Sequence, residues 1–263
     1  MRCLTDRARD RESKGGYGTS VEEYMTVLHP SQAEQDYLKA IYHLGQRSGD
    51  ERVGTVALAD WLGFAPASAT NMIKKLTERG LVTHSPYHGV ALTETGRKVA
   101  LEVLRHHRLL EMYLNERLGV PWEQVHAEAD RLEHALSEDL EDRIDAALGH
   151  PTTDPHGAPI PTKEGIIATP PTQPLGTVLP GSTVVVAEVA DEDAALLTYV
   201  ADLGLVPGAT VEVLAKAPFD GPLHLRVGGN EYALGEAVTR AVSVHCSAPV
   251  IASVDDGVER NGA

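Results

Sequence analysis

Between residues 31 and 48 the apolar positions recur with a helical period: Tyr37, Leu38, Ile41, Tyr42 and Leu44 share one face. Ser31 followed by Glu34 has the capping-box spacing and marks the helix start. The run T-V-A-L-A-D-W-L predicts a short second helix over 54–62, ended by a turn at Gly63. A third helix is expected from Pro66, a residue suited to the first helical position, to Arg79, with Gly80 as its C-terminal cap. Ala69, Met72, Ile73 and Leu76 form its core stripe. Two short β runs around S-P-Y-H-G then read as a hairpin. Helix, helix, turn, helix, hairpin is the order of a winged helix-turn-helix.

Beyond it, the pattern predicts a long helix from Thr95 to Leu118, broken by Gly119, and another from Trp122 to Leu148. The segment H-P-T-T-D-P-H-G-A-P-I-P is a Pro-rich crossing without regular structure, and the Thr- and Pro-rich stretch that follows reads as a linker. From Leu175 the character turns to β: S-T-V-V-V-A-E-V, T-V-E-V-L, L-H-L-R-V and A-V-S-V are strand runs, with one helix closed by Gly204 and a tight turn at V-G-G-N-E-Y. The expected fold class is therefore multidomain α+β. Its parts are a disordered leader (1–28), a winged-helix domain (29–97), a helical domain (98–165), a linker (166–174), a small β-barrel (175–250) and a frayed tail (251–263).

Composition narrows the function classes. In 263 residues there is no run of 18 apolar positions and no apolar segment near the N-terminus, so neither a membrane span nor a secretory signal is expected. Met25 is an alternative start. Cysteines occur only at positions 3 and 246, which argues against a disulfide framework and for a reducing, cytoplasmic compartment. A net charge of −15 speaks against nucleic acid, but the way the charge is distributed weakens that objection. Acids dominate from Glu111 to Glu164, whereas the signs nearly balance from Pro30 to Lys98. On the third helix Ala67, Ser68, Thr70, Asn71, Lys74 and Lys75 lie opposite the core stripe and suit major-groove entry; of these only Asn71 has bidentate reach to a base. Tyr87 and His88 at the hairpin tip are candidates for backbone contact.

The densest chemistry is V-H-A-E-A-D-R-L-E-H, residues 125–134, which sets His126, Asp130, Glu133 and His134 on one flank of a helix. The preceding helix carries His107 and Glu111 at i and i+4. Such a face is either solvated or holds a divalent cation, and spacing alone leaves both open. His106 is expected to point elsewhere; His84, His150, His224 and His245 are given no role, and His156 is assigned a structural hydrogen bond.

H-H-R-L-L-E (106–111), V-H-A-E-A-D-R-L-E-H (125–134), D-P-H-G-A-P-I-P (154–161) and L-G-L-V-P-G (203–208) together resemble the diphtheria-toxin-repressor family of metal-activated transcriptional regulators, from about Ser31 to Val244. The resemblance implies a winged helix that reads DNA, a helical dimerisation domain and a C-terminal SH3-like barrel. It also implies a primary metal site of Asp36, Asp130, Glu133 and His134 and an ancillary site of His107, Glu111 and His126, with Glu192 or Asp193 added from the barrel. Family members of the iron branch carry methionine and cysteine where this chain has Asp36 and Asp130, so hard oxygen replaces soft sulfur and Mn²⁺ is favoured, with Fe²⁺ as the alternative. Lys39 stands where the manganese branch has a further acidic ligand, which implies two separated sites rather than a two-metal cluster.

The function expected is that of a metal-activated homodimer that binds a palindromic operator in double-stranded DNA and represses metal-uptake genes. Two other readings compete. A helical metalloenzyme would need a catalytic motif, and no H-E-x-x-H, nucleophile elbow or Gly-rich phosphate loop is present. A winged-helix regulator indifferent to metal would leave the acidic face merely solvated.

Overall fold

The computed structural model describes residues 30–168 and 170–245. The leader, the tail, Met25 and both cysteines lie outside them.

The first domain is built from α1 (Gln32–Ser48), α2 (Thr55–Leu62), α3 (Pro66–Glu78) and the hairpin β1 (Val82–Ser85) to β2 (Gly89–Leu92), paired antiparallel. Leu38, Ile41, Leu58, Ile73, Leu76 and Val90 are buried at its centre. Glu34 closes the capping box, accepting from the Ser31 N–H at 2.8 Å and the Ser31 hydroxyl at 2.9 Å. The same carboxylate takes the Arg79 guanidinium at 2.6 and 2.7 Å, pinning the start of α1 to the end of α3. Burial alone would raise this carboxyl, but Arg79 and Ser31 outweigh it and hold it at about 2. Glu34→Gln is expected to cost on the order of 1–2 kcal/mol of stability near neutral pH, because the buried capping carboxylate gives up its charge-assisted bonds to the half-buried Arg79 guanidinium. The contribution is present above pH 4.5 and is lost as pH falls toward 2, so urea titrations of variant and wild type should converge in acid.

The 25-residue helix α4 (Glu94–Leu118) is a shared spine. Its first half, through Val99, Leu101 and Leu104, packs into the winged-helix core, while Leu109, Leu110 and Leu114 belong to a second core with Val125, Ala129 and Ile144. The boundary between domains is therefore crossed by a continuous helix.

The stretch read as one helix from Trp122 to Leu148 is three pieces: α5 (Val125–Leu132), a 3₁₀ turn (Glu133–Ala135) and α6 (Glu138–Leu148). Leu136 is extended, and Ser137 caps α6 by accepting from Leu140 N–H. Glu138, Asp139 and Glu141 then occupy the first turn, where the helix dipole favours acids. His134 lies in the 3₁₀ turn and faces α1.

The D-P-H-G loop forms no element. Asp154 Oδ1 accepts from the backbone N–H of His156 and Ala158, at 2.8 and 3.0 Å. Trp122 Nε1 donates to Pro155 O at 3.0 Å. Gly157 has φ +92°, and a Cβ there would sit 2.0 Å from Ala187 O, so only glycine lets the loop lie against the barrel domain.

That domain holds β3 (Thr172–Pro174), β4 (Thr183–Val189), α7 (Ala194–Asp202), β5 (Thr210–Lys216), β6 (Leu223–Val227), β7 (Asn230–Leu234), α8 (Glu236–Ala241) and β8 (Val242–His245). The strands run antiparallel in the order β3-β8-β4-β5-β6-β7 around Val184, Val186, Leu197, Val213 and Leu225. β3 begins inside the span expected to be a linker, because Thr172–Pro174 finds a ladder partner in β8.

Candidate metal centre and DNA-facing surface

Four segments converge between the domains. α1 brings Asp36 and Lys39, and α4 brings His107 and Glu111. α5 and the turn after it bring His126, Asp130, Glu133 and His134. The loop before α7 brings Asp191.

Of the expected primary set, Asp36, Glu133 and His134 come together: His134 Nε2 lies 2.9 Å from Asp36 Oδ1 and 3.4 Å from Glu133 Oε1. The other imidazole nitrogen of His134 meets Gln35 Oε1 at 2.6 Å. Asp130 stands apart from Asp36 and His134. Its Oδ1 faces His107 Nδ1 at 3.2 Å and the Lys39 ammonium at 2.9 Å. Lys39 also donates to both oxygens of the buried Glu133, at 2.7 and 2.8 Å. Burial would lower the Lys39 ammonium, but Glu133 and Asp130 outweigh it and raise it. Asp130 is held well below the usual carboxylate range: burial works against this, and the contacts with His107 and Lys39 prevail.

Of the expected ancillary set, all three residues meet. His107 Nε2 lies 3.0 Å from Glu111 Oε1 and 3.1 Å from His126 Nδ1, and His126 Nδ1 is 3.2 Å from Glu111 Oε1. The acid that joins them from the barrel domain is Asp191, 3.3 Å from His126 Nδ1. Neither Glu192 nor Asp193 does so. Asp193 is committed to capping α7, accepting from Ala195 and Leu196 N–H at 2.9 and 3.1 Å. Glu192 turns to Arg47 at 2.6 Å.

Sequence reasoning overlooks Asp154 and His156 as candidates. His156 is fully buried and makes the expected structural hydrogen bond, Nε2 to Trp122 O at 3.1 Å. Donating there leaves Nδ1 free, and it points at Glu111 Oε2, 3.8 Å away, and Asp191 Oδ2, 3.9 Å away. Among the described residues, Glu111 Oε2, Asp154 Oδ2 and His156 Nδ1 are buried without a hydrogen-bond partner. Three orphaned donor atoms facing one space are a misfit for a closed polar core and a match for a cation. The only signal in the sequence is the D-P-H-G marker itself.

The donor groups are continuous rather than separated. The His107 ring is the link, with Nδ1 at 2.6 Å from Glu133 and Nε2 on Glu111. Burial would lower His107 and His126, but the surrounding carboxylates raise both, His126 to about 10. Burial would raise Glu111, yet His107 beside it holds it well down. Asp154 goes the other way, pushed well up by burial and by the Glu111 charge. A cation entering must displace the imidazole protons, so its affinity falls on acidification. His106 does point elsewhere, to Glu141 at 3.2 Å and Glu102 at 3.4 Å.

Three families match consecutive parts of the chain: "Iron dependent repressor, N-terminal DNA binding domain" over 29–90, "Iron dependent repressor, metal binding and dimerisation domain" over 93–162, and "FeoA domain" over 173–246. The chain is 34% identical to the iron-dependent repressor IdeR of Mycobacterium leprae over 224 residues, 79% of this chain and 94% of that one. The chain belongs to the diphtheria-toxin-repressor family. This family consists of metal-dependent transcriptional regulators, not enzymes. Another similar member is the transcriptional regulator MntR of Geobacillus kaustophilus, 35% identical over 115 residues, 44% of this chain and 79% of that one. A solved manganese-dependent transcriptional repressor in complex with manganese is 40% identical, covers 81% of this chain and 100% of its own, and superposes with a TM-score of 0.76.

The residues expected to face DNA lie on α3 and at the tip of the β1–β2 hairpin. Ala67, Ser68, Asn71, Lys74 and Lys75 are exposed, as are Tyr87 and His88 at the wing tip, with Tyr87 in left-handed backbone at φ +66°. The Thr70 hydroxyl is occupied within the helix, donating to Pro66 O at 2.9 Å, and Lys75 leans to Glu34 at 3.5 Å. Lys74→Ala is expected to weaken DNA binding about equally for all sequences and to lower the salt-dependence slope by about one, read from binding isotherms at several salt concentrations.

Proposed function

We propose that the chain is a metal-activated repressor that binds palindromic double-stranded DNA as a homodimer in the cytoplasm, with Mn²⁺ as effector and Fe²⁺ as the alternative. One observation carries this reading: a carboxylate of the reading domain, Asp36, and an imidazole of the helical domain, His134, meet at 2.9 Å beside a buried carboxylate, Glu133. A cation held there would join the two domains. Asp36, Glu133 and His134 are its candidate ligands, with Asp130 as a fourth that shares His107 and Lys39 with Glu133. His107, Glu111, His126, Asp154, His156 and Asp191 are the candidates for a second centre. All are carboxylate or imidazole donors, which suits Mn²⁺ and Fe²⁺. Bound, the ion would supply positive charge and fixed ligand distances.

The chain's own residues do the rest. Asp36 anchors α1, Glu34 locks α1 to α3, and α4 carries both cores. The tilt of α3 against the dimerisation domain is then set at the Asp36–His134 junction. In a two-fold dimer this fixes the separation of two recognition helices, which must match half-sites about 34 Å apart. Metal-uptake genes fit as targets, since abundant metal then shuts off import.

The test is to titrate metal-depleted protein with Mn²⁺, and anaerobically with Fe²⁺, by calorimetry, and then to measure DNA binding with and without the ion at matched salt. Saturable binding and tighter DNA association are expected. Protein that takes up neither ion saturably would sink the reading.

A further inference from the structure

Resting on the metal-sensing reading, we propose that Lys39 is a resident cation of the primary site: without metal its ammonium bridges Asp130 and Glu133 and clamps α1 to the helical domain, and metal must displace it. The geometry carries this. Lys39 Nζ makes three hydrogen bonds to the two carboxylates, at 2.7, 2.8 and 2.9 Å, across 91 to 94 residues of sequence. Glu133 has 1% of its side chain exposed and Lys39 has 15%, so the pair is shielded from solvent. An ionised carboxylate that deep needs a counter-charge at all times. The other groups on Glu133 are His107 Nδ1 at 2.6 Å and His134 Nε2 at 3.4 Å, both aromatic nitrogens of the same candidate sites. Lys39 is the permanent charge among them, and it comes from the other domain.

Two consequences separate this from a purely structural role. Metal-free protein keeps its reading domain partly aligned, because the ammonium does the bridging when no ion is present. Metal would bind more weakly than the bare ligand set would allow, since the Lys39 ammonium already occupies two of the carboxylates and its bonds to them must be given up. A structural lysine would give the opposite sign, with its loss loosening the site and weakening metal binding.

Lys39→Met keeps the apolar stem and removes the charge. In calorimetry Lys39→Met should bind Mn²⁺ on the order of tenfold tighter than wild type. In EDTA-treated protein, amide hydrogen exchange in residues 32–48 and 133–135 should be several-fold faster in the variant than in wild type, reporting the lost clamp. Unchanged or weaker Mn²⁺ affinity overturns the proposal, and so does unchanged exchange in the metal-free protein. If wild type takes up neither Mn²⁺ nor, anaerobically, Fe²⁺, the sensing reading falls, and the metal-free exchange measurement then decides the clamp alone. Circular dichroism of the variant establishes that it is folded.

Discussion

Asp36→Ala and Glu133→Gln should each reduce the metal-dependent gain in DNA affinity to near unity. In wild type that gain is expected to be roughly 5- to 150-fold, the range of ordinary coupling energies. The two residues sit on opposite sides of the junction. Asp36 is on α1 of the reading domain with a third of its side chain exposed, so its loss leaves packing intact. Glu133 is in the 3₁₀ turn of the helical domain, fully buried, and Gln preserves its volume. A ligand able to shift the equilibrium must bind one domain arrangement better than the other, and both variants remove that difference from one side. Fluorescence anisotropy on a duplex selected with the wild-type protein, with Mn²⁺ or EDTA at fixed salt, reads the ratio. If Asp36→Ala keeps the full gain, the cation does not bridge α1, and the switch belongs to the His107–Glu111 side.

How far the sequence foretells this arrangement can be followed residue by residue. The winged helix is legible because its signals are local: the Ser31–Glu34 box, Pro66 at a helix start, and a helical period in each apolar run. His107, Glu111 and His126 are legible because they lie on helical spacing in two helices that the structure packs together. The break at Leu136–Ser137 is not. The apolar period runs on through it, and only the cap and the acidic first turn of α6 announce it. Asp191 lies one or two positions from the expected acids, since three consecutive acids can be told apart only by what each one faces: His126, Arg47 or the start of α7. Asp154 and His156 are beyond a reading by period, because an irregular loop has none. Lys39 is visible as a charge that cannot ligate metal, but the ammonium filling the gap between Asp130 and Glu133 is a tertiary fact.

Asp154→Asn should move stability in opposite directions in the two states of the protein. Asp154 Oδ1 accepts two backbone N–H bonds, and an asparagine carbonyl can keep both. The change falls on Oδ2, buried without a hydrogen bond near Glu111 and His156, with the Arg108 guanidinium no closer than 3.5 Å. Burial and the Glu111 charge push this carboxyl well up, more than Arg108 pulls it down, so its ionised form costs folding free energy. That cost is present at neutral pH and fades as pH falls through the raised folded value toward the ordinary 3.8. Asparagine carries no such charge, and metal-free Asp154→Asn should be more stable than wild type by about 1 kcal/mol at pH 7. With Mn²⁺ the order should reverse. A centre that loses one of the ligand set Glu111, Asp154, His156 and Asp191 holds its ion less tightly, and stabilisation by ligand follows RT ln(1 + [L]/Kd). A tenfold weaker Kd removes about 1.4 kcal/mol of it under saturating ion. Thermal unfolding in EDTA and in excess Mn²⁺, for both proteins, gives four midpoints. Crossing of the two pairs identifies the orphaned oxygens as a metal centre. A variant less stable by the same amount in both conditions would instead mark Asp154 as a loop-fixing residue paired with Arg108.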